Sequence, residues 1–173
     1  MNYAAIKKCD IANGTGVRTS LFVSGCRHHC KGCFQPETWD FDFGSEFTEK
    51  VKDDIIESLK TDYIEGLKLI GGEPLEPENQ RVLVPFLKEV RETFPQKSIW
   101  CYTGYLLDDE LLKPSSARCE VTDEMLSYID VLVDGEFVLE KKNIMLKFRG
   151  SENQRIIDIK KSLDMGEVVL RNV

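Results

Sequence analysis

The sequence lacks long hydrophobic runs, an excess of positive charge, internal repeats and linker-like segments. Its apolar runs are only a few residues long, too short to cross a bilayer, and the opening MNYAAIKKCD has no signal-peptide core. We therefore expect a cytoplasmic protein without membrane association. The chain has 23 lysines and arginines and 30 acidic residues, so its formal net charge is −7. Non-specific nucleic-acid binding depends on neutralising phosphates, so we do not expect it here.

The length of 173 residues permits one domain with a substantial core. A complete eight-stranded (βα) barrel is excluded, since it needs roughly 250 residues. Low-complexity tracts and linkers rich in proline, glycine or serine are also missing, so no domain boundary is predicted. We expect a single domain over residues 1–173.

Strand-like and helix-like segments alternate along the chain, which predicts an α/β protein with a parallel sheet. The predicted strands cover residues 18–24, 67–70, 98–103 and 129–133, with shorter strands inside 146–159 and 167–170. The predicted helices cover residues 48–59, 78–92 and 122–127. In such sheets the chemistry collects where parallel strands end. The loops expected at that edge are the cysteine-rich loop after Gly25, Gly71–Pro74, Tyr102–Tyr105 and Asp134–Gly135.

Three of the six cysteines are crowded into a C-x3-C-x2-C pattern at Cys26, Cys30 and Cys33. Without a secretion signal, disulfides are not expected, and this crowding indicates metal or redox chemistry. Three thiolates can hold three corners of a [4Fe–4S] cluster and leave the fourth iron open to a ligand. A structural zinc site completed by His28 or His29 is an alternative. A further alternative is that the three cysteines are free thiols that bind no metal.

The remaining cysteines are candidates for a fourth ligand, but each has a simpler interpretation. Cys101 lies in an apolar strand and is predicted to be a small buried residue, and Cys119 is predicted to be a free thiol. We assign no role to Cys9. His28 and His29 are expected to contact solvent or a partner, with tuning of the cluster as the alternative.

A Gly71-Gly72-Glu73-Pro74 loop directly follows a predicted strand. Glycines allow the backbone to approach a ligand closely and expose its carbonyls, and Glu73 adds a carboxylate. Carbonyls and a carboxylate together suit a ligand ammonium group. Alone, the loop could be no more than a strand-end turn. Beside the cysteines, it predicts a site for an amino acid that also chelates the open iron.

The cysteine pattern after the first predicted strand, with Gly-Gly-Glu-Pro after the second, resembles the radical S-adenosylmethionine superfamily. Within it, the chain is similar to the activating proteins of anaerobic ribonucleoside-triphosphate reductase over about residues 10–160. Gly32 stands where an aromatic residue often precedes the last cysteine, although this narrower family commonly has glycine there. The segments that carry the narrower resemblance are 13–18, 21–26, 33–39, 100–105, 129–135 and 148–155.

The resemblance implies a partial (βα) barrel of about five or six mostly parallel strands, of radical S-adenosylmethionine type. It implies a [4Fe–4S] cluster on Cys26, Cys30 and Cys33. It further implies S-adenosylmethionine bound through residues Gly32, Cys33, Phe34, Gly72 and Glu73. An electron from a flavodoxin- or ferredoxin-like donor would cleave this cofactor. The 5′-deoxyadenosyl radical would then take hydrogen from a glycine of the reductase, so no catalytic side chain is implied.

Two alternatives to this function remain at the level of sequence. An activase of a different glycyl radical enzyme is one, although no inserted cysteine-bearing domain separates Cys33 from the first predicted helix. A non-catalytic zinc-binding interaction module is the other. Near the same edge of the sheet, Asp134 is expected to assist ligand binding or to form a plain turn. The segment Arg149–Arg155 is expected to contact a partner or to be a solvated loop.

Overall fold

The computed structural model describes residues 1–173 and contains one seven-stranded sheet. The strands are β1 (Asn2–Asp10), β2 (Val17–Val23), β3 (Ser45–Glu46), β4 (Ile64–Gly71), β5 (Ser98–Tyr102), β6 (Val131–Asp134) and β7 (Arg155–Asp158). The α-helices are α1 (Glu49–Leu59), α2 (Pro77–Thr93), α3 (Thr122–Tyr128) and α4 (Ile159–Met165). Short 3-10 helices cover Pro36–Trp39 and Leu139–Lys141, and a π-helix covers Leu107–Leu111.

The strand order in the sheet is β3-β1-β2-β4-β5-β6-β7. Its centre is parallel, because β2, β4, β5 and β6 pair successively in the same direction. The edges are antiparallel, with β1 and β3 on one side and β7 on the other. The α/β class and the parallel centre are therefore confirmed. The strand count of about five or six, mostly parallel, is corrected to a partly parallel sheet of seven.

The two faces of the sheet bury different sets of side chains, as the twofold alternation along a strand requires. Leu69, Cys101 and Leu132 belong to the large cluster of 27 buried residues that includes side chains of the helices. Trp100 and Val133 belong to a small cluster on the opposite face. We call this second face the inner face. The carboxyl ends of β2, β4, β5 and β6, which we call the rim, lie at one edge of both faces.

The inner face also buries an ion pair. Lys68 of β4 is fully buried and donates to Asp10 at the end of β1, while the hydroxyl of Ser20 donates to the same carboxylate over 2.7 Å. Burial by itself raises the pKa of Asp10, but the hydrogen bonds from Lys68, from the N–H of Ala12 and from Ser20 together outweigh burial and lower that pKa to about 2. This pair ties the antiparallel edge to the parallel centre.

Asp10→Ala is expected to lower the free energy of unfolding by about 3–5 kcal/mol, because it leaves the buried Lys68 ammonium without a counter-charge. Denaturant unfolding measures the change. Lys60→Ala is the control, since it breaks an exposed pair with Glu57 and should change stability by less than about 1 kcal/mol. Equal effects of the two variants would contradict a structural role for the buried pair.

No helix of the structure has both the length and the apolar character needed to span a membrane.

Candidate metal centre

A cavity of about 510 Å³ opens at the rim. The loops after all four parallel strands contribute to its wall, as the sequence predicts. From the predicted cofactor residues, the structure brings Cys26, Cys30, Cys33, Phe34, Gly72 and Glu73 to this wall. Gly32 lies outside it. The cysteines and the glycine–glutamate loop, although some 40 residues apart in sequence, therefore share one site.

The cysteine loop, residues 25–33, is fixed at its start by backbone hydrogen bonds. The N–H of Gly25 donates to the Thr38 carbonyl over 2.8 Å, and the N–H of Cys26 donates to the Trp39 carbonyl over 3.2 Å. Cys26 is buried, whereas Cys30 and Cys33 are half-buried and are linked by a backbone bond of 3.0 Å. The first cysteine is thus held against the 3-10 helix Pro36–Trp39, whereas the other two are less buried.

Two thiols of the cysteine loop have a raised pKa. Burial, together with the nearby Glu73 carboxylate, raises the pKa of Cys26 to about 12. Burial also raises the pKa of Cys30. Iron and zinc ligands must be thiolates, so loading a metal here requires that the metal's positive charge displaces the protons. Three soft sulfur donors on one cavity wall fit an iron–sulfur cluster.

Both histidines proposed as a fourth zinc ligand have other contacts in this structure. No group of three or more histidine, cysteine, aspartate or glutamate side chains is arranged to hold one metal ion. His28, a candidate fourth zinc ligand, has both ring nitrogens in contact with carboxylates, at 3.0 Å from Glu73 and 2.8 Å from Glu136. His29 stacks on the Trp39 ring with centroids 4.6 Å apart.

The other three cysteines lie outside the cavity wall. Cys101 is fully buried in the large hydrophobic cluster, which confirms its prediction as a small buried residue, and burial raises its pKa well above the ordinary value. Cys119 is a free thiol, as predicted, and contacts Gln80 at 3.6 Å. Cys9 is exposed on β1, 3.7 Å from the Tyr63 hydroxyl.

The two glycines after β4 join the glycine–glutamate loop to the cysteine loop. The N–H of Gly72 donates to the Val23 carbonyl over 2.7 Å, and the N–H of Glu73 donates to the Gly25 carbonyl over 2.8 Å. A side chain at Gly72 would place its Cβ 2.7 Å from the Gly25 carbonyl oxygen. Glycine is therefore required here for contact between two loops, whereas the sequence alone suggested only room for a ligand.

Glu73 is almost completely buried at 1% exposure, and its carboxylate has three donors. One oxygen accepts from the N–H of Leu75 over 2.8 Å, and the other accepts from the N–H of Gly104 over 2.8 Å and contacts His28. A carboxylate offers about four acceptor positions, so most of them are in use. The assignment of Glu73 as an ammonium acceptor stays a prediction. The Gly72 carbonyl, which accepts no hydrogen bond within the chain, is a further acceptor at the same wall.

Gly32 and Phe34, which flank Cys33, have different surroundings. Phe34 is 68% exposed, and its ring contacts Phe137 with centroids 5.2 Å apart. Gly32 has a φ of +76°, and a Cβ there would lie 2.9 Å from the Leu139 side chain. These two features exclude an aromatic residue at position 32 without rearrangement. Contact of Gly32 with a ligand stays a prediction.

His28 is the residue of this site that sequence reasoning missed, because we expected it to contact solvent or a partner. Its side chain is only 8% exposed and lies between Glu73 and Glu136. Its ring packs on Tyr105 with centroids 4.4 Å apart. Burial lowers the pKa of His28, but the Glu73 carboxylate, followed by Glu136, raises it to about 9.

The remaining rim residues make hydrogen bonds within the chain. Asp134 is fully buried, accepts from the N–H of Leu107 over 2.9 Å and pairs with Arg155 over 2.6 Å. Gln154 accepts from the N–H groups of Gly150 and Ser151, which holds the segment after Phe148 against the cavity. Arg149, Gly150 and Gln154 line the cavity wall.

Comparisons with known proteins support a [4Fe–4S] cluster in this chain. Residues 12–157 match the 4Fe-4S single cluster domain, which places the chain among single-cluster iron–sulfur proteins. Proteins from Haemophilus influenzae and Pasteurella multocida are 46% and 44% identical over 158 residues, covering 90% of this chain and 97% and 96% of theirs. One from Escherichia coli is 42% identical over 156 residues, covering 89% and 96%. Each is named anaerobic ribonucleoside-triphosphate reductase-activating protein. The chain belongs to this family of activating proteins.

Proposed function

We propose that this protein is an oxidoreductase that activates anaerobic ribonucleoside-triphosphate reductase by generating a glycyl radical on it. The observation that carries the proposal is the convergence of the three cysteines with the Gly72–Glu73 loop on one cavity wall. Family membership adds the partner, since the curated relatives are named as activators of this reductase.

The residues of the cavity wall fit a cluster and an amino-acid ligand. Cys26, Cys30 and Cys33 would hold a [4Fe–4S] cluster with one open iron. The Gly72 carbonyl and Glu73 would accept hydrogen bonds from the amine of S-adenosylmethionine, with Phe34 and Gly32 beside it. A flavodoxin- or ferredoxin-like donor would supply an electron through the bound cluster, and S-adenosylmethionine would be cleaved into methionine and the 5′-deoxyadenosyl radical. This radical would take a hydrogen atom from a glycine of the reductase.

The proposal includes the fold type. We propose that the whole chain is a single radical S-adenosylmethionine domain, in which the parallel strands β2, β4, β5 and β6 form part of a (βα) barrel around the inner face. A partial barrel leaves a lateral opening. Such an opening suits a protein substrate, because a loop of the partner has to reach the cavity.

Anaerobic reconstitution followed by a cleavage assay tests the proposal. We expect about four irons and four sulfides per chain, a brown colour that fades in air, and release of methionine and 5′-deoxyadenosine under reducing conditions. With the reductase present, a glycyl radical should appear by electron paramagnetic resonance. A colourless protein with one zinc per chain would instead support the interaction module.

Glu73→Gln is expected to weaken S-adenosylmethionine binding roughly tenfold to a hundredfold, since charge-assisted hydrogen bonds contribute about 1.5–3 kcal/mol. Iron content should stay unchanged, because no cluster ligand is altered. Binding to the reconstituted protein is measured beside iron content. Glu110→Gln is the control, since that carboxylate accepts from the N–H of Leu106 away from the cavity. Normal binding by the Glu73 variant would remove this residue from the ligand site.

Exposed apolar side chains beside the cavity mark where the partner would dock. Ile144 and Met145 are 87% and 85% exposed, and Ile144 lines the cavity. Met145→Asp is expected to raise the KM for the reductase about tenfold or more, as for a central interface residue, while cleavage of S-adenosylmethionine without partner is unchanged. Met165→Asp is the control, because Met165 is 63% exposed but lies on α4, which contributes no residue to the cavity wall, whereas Met145 stands between the cavity residues Ile144 and Leu146. Equal kinetics for both variants would place the docking surface elsewhere.

A further inference from the structure

His28 lies at the meeting point of the rim loops. It belongs to the cysteine loop after β2, and its Nε2 is 3.0 Å from the carboxylate of Glu73 in the loop after β4. Its Nδ1 is 2.8 Å from Glu136 in the loop after β6. Its ring packs on Tyr105 in the loop after β5. One imidazole, carried by the loop after β2, therefore contacts the loops after β4, β5 and β6.

The contact with the loop after β5 is tight. A Cβ at Gly104 would lie 2.6 Å from the His28 ring, so only glycine leaves room for the imidazole. The N–H of Gly104 donates to the same Glu73 oxygen that His28 contacts. One oxygen of Glu73 thus accepts a hydrogen bond from the backbone of the loop after β5 and also contacts the imidazole of the cysteine loop.

His28 is also the only basic side chain that contacts the Glu73 carboxylate. Since Glu73 is 1% exposed, water does not replace that contact. Losing a hydrogen-bond partner costs a buried carboxylate more than an exposed one, because bulk water does not take the partner's place. Without His28 the Glu73 carboxylate would have to turn or the site would have to open to water.

We propose that His28 is a positioning residue, which holds Glu73 and the Gly72 carbonyl at a fixed place relative to the cysteine loop and so sets the affinity for the ligand of the open iron. The ligand part of this inference rests on the proposed function. The loop-coupling part rests only on the contacts around the imidazole. His28 itself touches neither the iron nor the reacting atoms in this role.

Two measurements on the full-length protein test the two parts separately. Hydrogen exchange reports the N–H groups of Leu75 and Gly104, which both donate to Glu73. S-adenosylmethionine binding and iron content are measured after anaerobic reconstitution. The variants are His28→Ala, His28→Gln and the adjacent His29→Ala, which removes an exposed ring that contacts neither Glu73 nor Glu136.

We expect His28→Ala to speed exchange at both N–H groups, to keep the iron and to lower ligand affinity roughly tenfold to a hundredfold. His28→Gln, which retains a hydrogen-bond donor, should recover part of that affinity. His29→Ala should match the unchanged protein. Should His28→Ala misfold, the glutamine variant decides, since its ligand affinity should still fall below that of the unchanged protein and of His29→Ala.

Each other outcome overturns one part. Unchanged exchange in the His28 variants would show that the imidazole does not couple the loops. Faster exchange with unchanged ligand affinity would overturn the positioning role, as would loss of iron equal to that of a cysteine variant. Failure of the unchanged protein to bind S-adenosylmethionine would overturn the proposed function and the ligand part together, while hydrogen exchange would still decide the coupling of the loops.

Discussion

Alanine at any one of positions 26, 30 or 33 is expected to abolish the [4Fe–4S] cluster. A cluster with an open iron has only three protein ligands, so loss of one thiolate leaves only two of its irons bound to the protein. No other cysteine of the chain lines the cavity and could replace the missing ligand. Iron and sulfide content after anaerobic reconstitution should fall from about four of each per chain to near zero. The visible absorbance of the protein should disappear with them.

Cys119→Ala is the matched control, because it removes a half-buried thiol that contacts Gln80 rather than the cavity. It should keep full iron and sulfide. Loss of iron in this variant would mean that Cys119 is a fourth ligand and that the open-iron assignment is wrong. Retention of a stoichiometric cluster by any of the three loop variants would exclude that cysteine from the ligand set.

Gly72→Val is expected to lose both ligand binding and most of the iron. The φ of Gly72 is not in the left-handed region, so the effect is steric: a Cβ would lie 2.7 Å from the Gly25 carbonyl oxygen and 3.0 Å from that of Thr38. Both are backbone atoms of the segments that hold the start of the cysteine loop. The substitution should push that loop away and displace Cys26. S-adenosylmethionine binding and iron content are measured together.

Gly166→Ala is the comparison for this variant. Gly166 has a φ of +70° at the end of α4, with no atom within 4 Å of a Cβ there. Alanine at 166 should lower stability through backbone strain and keep both iron and ligand. Loss of ligand with full iron in the Gly72 variant would instead show that the space beside Gly72 belongs to the ligand alone.

The central part of the fold and the edge strand β7, which lies inside the predicted range 146–159, could be predicted from the sequence, whereas the edge formed by β1 and β3 could not. Strands such as β2 and β5 are buried on both faces and give continuous apolar runs that indicate a parallel sheet. The longest strand, β1, was not predicted because Lys7, Lys8 and Cys9 are exposed along its second half. An antiparallel edge strand needs only one buried face, and its pairing with β2 depends on residues distant in the chain.

The candidate site could also be predicted only in part. Local spacing is enough to single out the cysteines and the glycine–glutamate loop, since each is a short motif at a strand end. The position of His28 depends on contacts with Glu73 and Glu136, which are 45 and 108 residues away. One signal was available: a glutamate at the end of a buried strand needs a nearby donor or cation if it stays charged. Arg27 and His28 were the basic candidates in the adjoining loop.

None of the cysteines of the cysteine loop belongs to the large hydrophobic cluster that holds the helices against the sheet. We therefore expect the polypeptide to fold without iron, in contrast to zinc fingers, which are unfolded without their metal. Iron and sulfide would then be delivered to a protein that is already folded. A molecule whose cluster is destroyed by air would keep that fold, so we expect repair by a fresh supply of iron and sulfide, with no need for new protein synthesis, when the cell returns to anaerobic conditions.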